Sequence, residues 1–338
     1  MAADYDEFQA NFAVVGLGGG GTNMVNRLYG TGITSATTIA MNTDAKHLGI
    51  VHAHKKLLVG KTITKGLGAG GYPEIAAKAA EASAREIEEL IAGYDAVFLT
   101  AGMGGGSGGG MAPVVAKMAK EQGSLVVAFV TYPFALERSR RQKADWSLQE
   151  LMKNTDTTVI IENDRLLKFA PNATMDKAFE MVDNIMVNAV KGMTDAIKIP
   201  SLINLDFADL KAVMQNGGAA AINVGAGQGA DMVDQAVKST LAHPLTGYKM
   251  AGAKSAFVHV TGSEALSIEN ATRLAEGVTA ELDEKANVIF GARMVPGMGT
   301  RAHIMSIVTG VTPMLGEYEV TMLDNRKEKQ ALELDMLA

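Results

Sequence analysis

The sequence predicts an α/β fold: a doubly wound, mostly parallel sheet, a long central helix, and a second, smaller α/β domain. Three observations carry this expectation. Short apolar runs without period-two alternation recur between helical patterns through the first half, as strands buried on both faces of a parallel sheet do. Every unusual loop of that half follows one of these runs, where doubly wound sheets gather their ligands. A helical pattern centred near residue 188 is long for one domain, and a helix bridging two domains accounts for it most simply.

Taken in order, Asn11–Val15 leads into a glycine run and then a helix from Asn23 to Tyr29. Thr37–Met41 leads into Asn42-Thr43-Asp44, and Ala96–Thr100 into a second glycine run. Leu125–Thr131 leads into Tyr132-Pro133-Phe134, and Thr158–Ile161 into Glu162-Asn163-Asp164. Helices are expected over Glu74–Ile91, Ala112–Gln122 and Ser139–Met152. From Asp176 to Ile199, Phe179, Val182, Ile185, Met186, Ala189, Val190 and Met193 form a helical apolar pattern. Shorter helices are expected after Asp206, then strands at Ser255–Thr261, Asn287–Arg293 and Arg301–Val308, with a helix Ile268–Leu282 between the first two. The expected domains are 1–175, a connecting helix over 176–203, an α/β domain over 204–315, and a charged tail over 316–338.

Composition narrows the function classes. A chain of 338 residues suggests about two domains. Net charge of −6 supplies no global field toward nucleic acid or anionic lipid. The absence of cysteine excludes disulfides and thiolate chemistry, and fits a reducing, cytoplasmic setting. The start, Met1 to Phe8, has no apolar stretch of a secretory signal. No apolar run approaches the ~18 residues of a membrane span, so direct insertion is not expected. The 37 glycines against 8 prolines are clustered, which calls for specialised loops.

Gly16-Leu17-Gly18-Gly19-Gly20-Gly21 follows the first strand, precedes a helix, and satisfies GxGxxG. Glycines let backbone N–H groups approach an anion, and a helix N-terminus favours negative charge. A tight turn without ligand would read the same way. The second run, Ala101 to Gly110, has seven glycines where a turn needs one or two. A third, Gly66 to Gly71, precedes the helix at Glu74. Three such loops suit a triphosphate better than the pyrophosphate of NAD. No Walker A sequence exists, because Lys55 stands where Gly60-Lys61-Thr62 would need a leading glycine. Neither of the first two loops contains lysine or arginine. Helix termini carry only about half a charge each, so a bound Mg²⁺ is implied.

With these loops the chain resembles the tubulin/FtsZ family, and FtsZ in particular, from about Asn11 to Pro313. Gly102-Met103-Gly104-Gly105-Gly106-Ser107-Gly108 is similar to the family signature. The resemblance implies that it cups the phosphates of GTP or GDP with Gly18, Gly19, Gly20, Gly21, Thr22 and Asn23, and with Ala69, Gly70 and Gly71. Asn42 and Asp44 match the second nucleotide loop. In Pro133 to Glu137, Glu137 is similar to the ribose-binding glutamate, and Arg141 falls where the family places an arginine beside the phosphates. Asn163 matches the asparagine that contacts guanine. Phe179 and Asp183 match a phenylalanine stacked on guanine and an aspartate that reads it. The last pair also has its own chemistry. A carboxylate accepts from guanine's ring N–H and amino group together, and residues four apart share a helix face. A core phenylalanine and a solvated aspartate are the plainer reading.

Asn204-Leu205-Asp206-Phe207-Ala208-Asp209 reads, unaided, as a helix start with Asp206 at the N-cap and Asp209 three residues on. The resemblance implies catalysis instead: Asn204, Asp206 and Asp209 enter the nucleotide pocket of the next subunit and orient the attacking water. It therefore implies a GTPase activated by head-to-tail polymerisation, in a cell-division ring or related filament, with membrane-adaptor or division proteins as partners. The chain departs from the family pattern at Tyr72, Ala76, Gly109 and Arg138 and in its tail, as a divergent paralogue would. An NAD(P)-dependent oxidoreductase and a non-hydrolysing GTP-binding scaffold are the alternatives. His47, His52 and His54 fit a solvated loop better than a metal site.

Overall fold

The computed structural model describes residues 10–169, 171–199, 201–242, 248–249, 253–263, 266–315 and 318–319. The acidic start, and the expected tail apart from Tyr318–Glu319, lie outside them. In chain order the elements are β1 (Phe12–Leu17), α1 (Gly18–Gly30), β2 (Thr37–Asn42), α2 (Ala45–Ile50), β3 (Lys55–Leu58), α3 (Lys61–Thr64), α4 (Pro73–Ala82), α5 (Ala84–Ile91), β4 (Ala96–Gly102), α6 (Gly106–Glu121), β5 (Leu125–Tyr132), α7 (Arg138–Lys153), β6 (Thr157–Glu162) and α8 (Asn163–Phe169). There follow α9 (Met175–Lys198), α10 (Phe207–Met214), β7 (Gly218–Gln228), α11 (Met232–Leu241), β8 (Tyr248–Lys249), β9 (Ser255–Gly262), α12 (Ile268–Thr279), β10 (Asn287–Met294), β11 (Arg301–Thr309), β12 (Thr312–Leu315) and β13 (Tyr318–Glu319).

A single sheet runs in the order β10-β9-β11-β7-β6-β5-β4-β1-β2-β3. From β3 to β7 every pairing is parallel. β11 is antiparallel to both its neighbours, and β9 and β10 pair in parallel. The mostly parallel, doubly wound expectation holds, and the smaller α/β unit continues the same sheet. The continuity is narrow: β6 meets β7 only over Thr157–Val159. Beyond that point the Tyr248 hydroxyl accepts from Ile160 N at 3.1 Å and donates to Ile160 O, satisfying a strand edge that β7 has left. Burial pushes that hydroxyl well above its usual pKa.

The central parallel strands β1, β2, β4, β5 and β6 are buried almost throughout because both faces are covered. On one face Met24, Val25 and Leu28 of α1 pack with Val182, Val190 and Met193 of α9 and Leu210 of α10. On the other, Ala76 of α4, Met111 and Val115 of α6, and Leu148 of α7 complete a second core. A third joins α11 and α12 to β7, β9 and β11.

Several expectations need correction. The glycine runs are only partly loops: Gly18 to Gly21 are the first turn of α1, and Gly106 to Gly110 begin α6. The expected helix Glu74–Ile91 is two helices divided at Ser83, whose hydroxyl accepts from Gly60 N at 3.0 Å. β7, the longest strand described, occupies a stretch where only shorter helices were expected. Its Gly-Ala-Ala-Ala start has weak strand propensity. Gly225 and Gly227 show what specifies it. A Cβ there would lie 2.1 Å from Thr240 Oγ1 and 1.9 Å from Met232 O, so α11 presses directly onto the strand. The short edge strand β3, with Lys55 and Lys56, was also unanticipated.

Candidate functional site

The carboxyl end of β1 opens directly into α1 and that of β4, after three residues, into α6, and the two helix N-termini converge. Gly18 has φ +67°, and a Cβ on it would sit 2.5 Å from Gly108 N. A Cβ on Gly20 would lie 3.4 Å from Gly102 N, and one on Gly106 would lie 2.8 Å from Tyr72 N and 3.0 Å from Gly71 N. The three glycine segments therefore touch backbone to backbone. Gly70 and Gly71 have φ of +59° and +79°, and Gly104 +82°, a region costly for side-chain-bearing residues. Gly19, Gly20 and Asn23 stay exposed, while Ala69 and Met103 are buried beneath. Gly105 is the N-cap of α6. Two helix N-termini with bare backbone between them make a concave, positively polarised floor suited to phosphate.

Side chains brace this floor. Thr22 Oγ1 donates to Gly18 O at 2.7 Å. Thr43 Oγ1 and Ser107 Oγ lie 2.7 Å apart, joining the end of β2 to the start of α6. Asn42 Oδ1 accepts from Asp44 N at 3.2 Å, and Asp44 caps α2 by accepting from His47 N at 3.0 Å. Lys143 Nζ donates to Gly71 O at 2.6 Å and stands 5.0 Å from the Tyr72 ring centre. That contact accounts for Tyr72: the ring supports a lysine that fixes the third segment.

Not every glycine serves the floor. A Cβ on Gly109 would meet Ser147 Oγ at 2.6 Å, and one on Gly110 would meet Pro73 O at 2.0 Å. These two admit α7 and α4 close to α6. The seven glycines of this run thus divide between ligand floor and helix packing, which the sequence alone does not separate.

Beside the floor lies a second group. Phe179 is 41% exposed and meets Phe134 edge-on at 6.1 Å. Asp183, one turn along α9, accepts from Arg27 Nε of α1 at 2.9 Å. Burial pushes the Asp183 carboxyl up to about 6, although Arg27 pulls it down. Asn163, at the start of α8, has a buried Oδ1 without a hydrogen-bond partner. Such orphans are rare in proteins and point to a donor arriving from outside. Glu137 pairs with Arg140 and accepts from Phe134 N at 3.2 Å. Arg141 donates to Pro133 O at 3.2 Å and pairs with Asp164 and with Glu162. Here it fixes the β5–α7 and β6–α8 connections to each other.

Asn204, Asp206 and Asp209 are not part of this group. Phe207 packs 5.9 Å from Phe12, at the start of β1, whereas the floor lies past its end, a strand length of about 20 Å. Asp206 accepts from Asp209 N at 2.8 Å and Asp209 from Asp206 N at 3.0 Å, a complete capping box for α10. Asn204 accepts from Ser201 N at 2.6 Å. The box engages one oxygen of each carboxylate and leaves a second oxygen on each, so capping does not exclude chemistry.

Arg27, Thr43 and Lys143 were absent from the sequence-based candidates. Arg27 lies 156 residues from its partner, with no local signal to find it. The histidines divide: His47 Nδ1 lies 3.3 Å from Thr22 Oγ1, His52 bonds Asn26, and His54 bonds Thr38. Among the described residues no group of three or more His, Cys, Asp or Glu is placed to hold a metal, and no helix is long and apolar enough to cross a membrane.

Against known proteins, residues 11–171 match the GTPase domain of the tubulin/FtsZ family, and residues 218–312 match the FtsZ family C-terminal domain. The chain is 51% identical over 310 residues to "Cell division protein FtsZ 2" of Methanocaldococcus jannaschii, covering 90% of this chain and 82% of that one. It is 44% identical to "Cell division protein FtsZ 1" of Thermococcus kodakarensis, covering 98% and 89%. A solved M. jannaschii FtsZ dimer superposes with a TM-score of 0.85 at 41% identity, covering 92% and 93%. Neither the oxidoreductase nor the inert-scaffold alternative finds support in these matches.

Proposed function

The chain belongs to the tubulin/FtsZ family of GTPases, and from that premise we propose a cell-division filament protein that completes its hydrolytic site only between two copies of itself. The observation that carries this is the separation within one subunit. The phosphate floor lies at one end of β1 and the acidic segment 204–209 at the other, so one chain cannot bring them together.

In this reading the glycine floor, with Asn42 and Asp44, holds the phosphates of GTP or GDP. Glu137 takes the ribose, and Phe179, Asn163 and Asp183 take the guanine. Arg141, through Asp164 and Glu162, keeps the loops beside the phosphates in register. Asn204, Asp206 and Asp209 of the neighbour orient a water for in-line attack on the γ-phosphorus. The bond to the bridging oxygen breaks, leaving GDP and phosphate. The floor offers hydroxyl and carboxylate oxygens, and Lys143 beside it is engaged on Gly71 O, which suits Mg²⁺ held by a few protein oxygens and the phosphates. Ser107, Thr43 and Asp44 would hold it, and bound there it would neutralise charge on the β- and γ-phosphates.

Contact of unlike faces is heterologous and extends into a filament when it does not close. Exposed apolar side chains support such a contact at both ends. Ile50 at the end of α2, and Leu67 and Leu136 on loops, are 72%, 84% and 80% exposed, and Leu202 and Met294 are exposed beside the acidic segment. A cytoplasmic filament would still need other proteins to reach a membrane; these are expected partners.

Subunit mixing tests the proposal. Turnover per subunit should rise with protein concentration. Asp209→Ala should bind GTP normally yet turn it over at least about a hundredfold more slowly, the scale on which positioned transition-state groups act. Asp183→Ala should be inactive through lost GTP affinity. Mixed together, the two should recover activity, since a wild-type floor then meets a wild-type acidic segment. Equal specific activity at every dilution, or no recovery on mixing, would sink the reading.

A further inference from the structure

We propose that Arg27 sets the guanine selectivity of the base site by holding the Asp183 carboxylate in its charged, double-acceptor form. This deepens the proposed guanine site and rests on it.

The geometry is specific. Arg27 approaches Asp183 Oδ2 through Nε at 2.9 Å, while its Nη1 lies 3.9 Å from Glu180. A carboxylate has about four acceptor positions, and a single Nε bond occupies one. Enough remain for both the ring N–H and the amino group of guanine. Asp183 is strongly buried, with 14% of its side chain exposed, whereas 38% of the Arg27 side chain is exposed. A carboxylate so enclosed tends to take up a proton, and a protonated one loses an acceptor and presents an O–H to guanine's donors.

The charged groups facing Asp183 work against each other. Burial raises its pKa to about 6, Arg27 of α1 lowers it by hydrogen bond and charge, and Glu180 on its own helix raises it. Glu180 is itself paired with Lys177 at 3.0 Å, which limits that effect. Arg27 is thus the cation that keeps the base-reading carboxylate charged near neutral pH. Guanine binding requires the charged form, so it is lost as pH falls through the Asp183 pKa. Without Arg27 that pKa rises, and the loss begins at higher pH.

The test is GDP affinity by calorimetry on the full chain, which avoids hydrolysis, with inosine diphosphate as a probe lacking the amino group. For the wild type, affinity should hold above about pH 7 and weaken around pH 6, with GDP preferred over IDP. Arg27→Met keeps the apolar stem and removes the charge. It should move the midpoint up by about one pH unit, equivalent to about a tenfold loss below it, and narrow the GDP-to-IDP preference. Arg27→Lys should restore most of the midpoint, and melting at pH 8 should report folding of both variants. Wild-type midpoint and wild-type GDP-to-IDP ratio in Arg27→Met would overturn the assignment. If instead Asp183→Ala bound GDP like wild type, the base-site reading itself would fall, and the assignment with it.

Discussion

At the carboxyl ends of β1 and β4 the molecule presents backbone. Gly18, Gly106 and Gly108 stand where a side chain would strike another segment's main chain, and the polar surface is made of N–H groups at two helix starts. At the far end of β1 it presents side chains. Asp206 and Asp209 close the capping box of an eight-residue helix, α10, on a segment anchored by buried Leu205 and by Phe207 against Phe12. The floor is over-determined by packing and can hold a polyanion without rearranging. The acidic segment is anchored by its apolar residues while Asn204 and Asp206 stay exposed, so its polar side chains can adapt to a surface that meets them. In the proposed function, a site divided in this way would put rigidity where nucleotide is held and tolerance where subunits meet.

Substitution at the two ends should separate sharply in stability. Gly110→Ala drives a Cβ to 2.0 Å from Pro73 O between α6 and α4. It should destabilise the fold by about 3 kcal/mol, the upper part of the range for overpacking. Gly19→Ala meets nothing within 4 Å and should leave stability within about 0.5 kcal/mol, even if it obstructs nucleotide. Asp209→Ala removes half a capping box and should lose about 1 kcal/mol. Denaturant melts of the three compare directly. A loss in Asp209→Ala as large as in Gly110→Ala would mean that the Asp209 side chain is packed as well as capping.

The base site carries the next largest effect, and its sign runs against function. The folded-state pKa of Asp183 is raised from 3.8 to about 6. The folded protein therefore binds more protons than the unfolded chain between those values, and stability from this group is complete below about 3.8 and falls as pH rises through about 6. Asp183→Asn should therefore make the nucleotide-free protein more stable above about pH 6, by about 1–3 kcal/mol, while weakening GTP. Thermal melts at about pH 5 and 8 check this: the gain should be small at the lower pH. A loss at both would show that the Arg27 pair outweighs burial.

Much of this was legible in the sequence, and the limits are physical. The strands of the parallel half were plain, because burial on both faces leaves unbroken apolar runs such as Val126–Val130. β7 was not, because Ala219, Ala220 and Ala221 signal no strand until β11 and α11 supply the contacts that select them. The floor residues were visible as glycines, but which glycines serve ligand and which serve helix packing depends on neighbours far away in sequence, such as Ser147 beside Gly109. Asp206 and Asp209 were read both as caps and as chemistry in the pocket of the next subunit. The capping box is present, and the chemical reading stays part of the proposed function. Arg27 and Lys143 act through partners with no sequence proximity.

The smallest effect tests whether close approach explains Gly109, one of the positions at which the chain departs from the family pattern. Ser147 Oγ is buried, has no hydrogen-bond partner, and lies 2.6 Å from where a Cβ on Gly109 would stand, with its own Cβ at 3.3 Å. Gly109→Ala alone must displace that hydroxyl and should cost about 1 kcal/mol, after allowing for the better helix propensity of alanine. Ser147→Ala discards an unpaired buried oxygen and should be neutral or stabilising by up to about 1 kcal/mol. In the double variant the hydroxyl no longer blocks the new methyl, and only a tight methyl contact remains. Its stability should therefore exceed the sum of the single effects by about 1 kcal/mol, a coupling within the range for residues in contact. Strict additivity would mean that Ser147 turns aside at no cost, and that α6 and α7 are set by something other than the glycine.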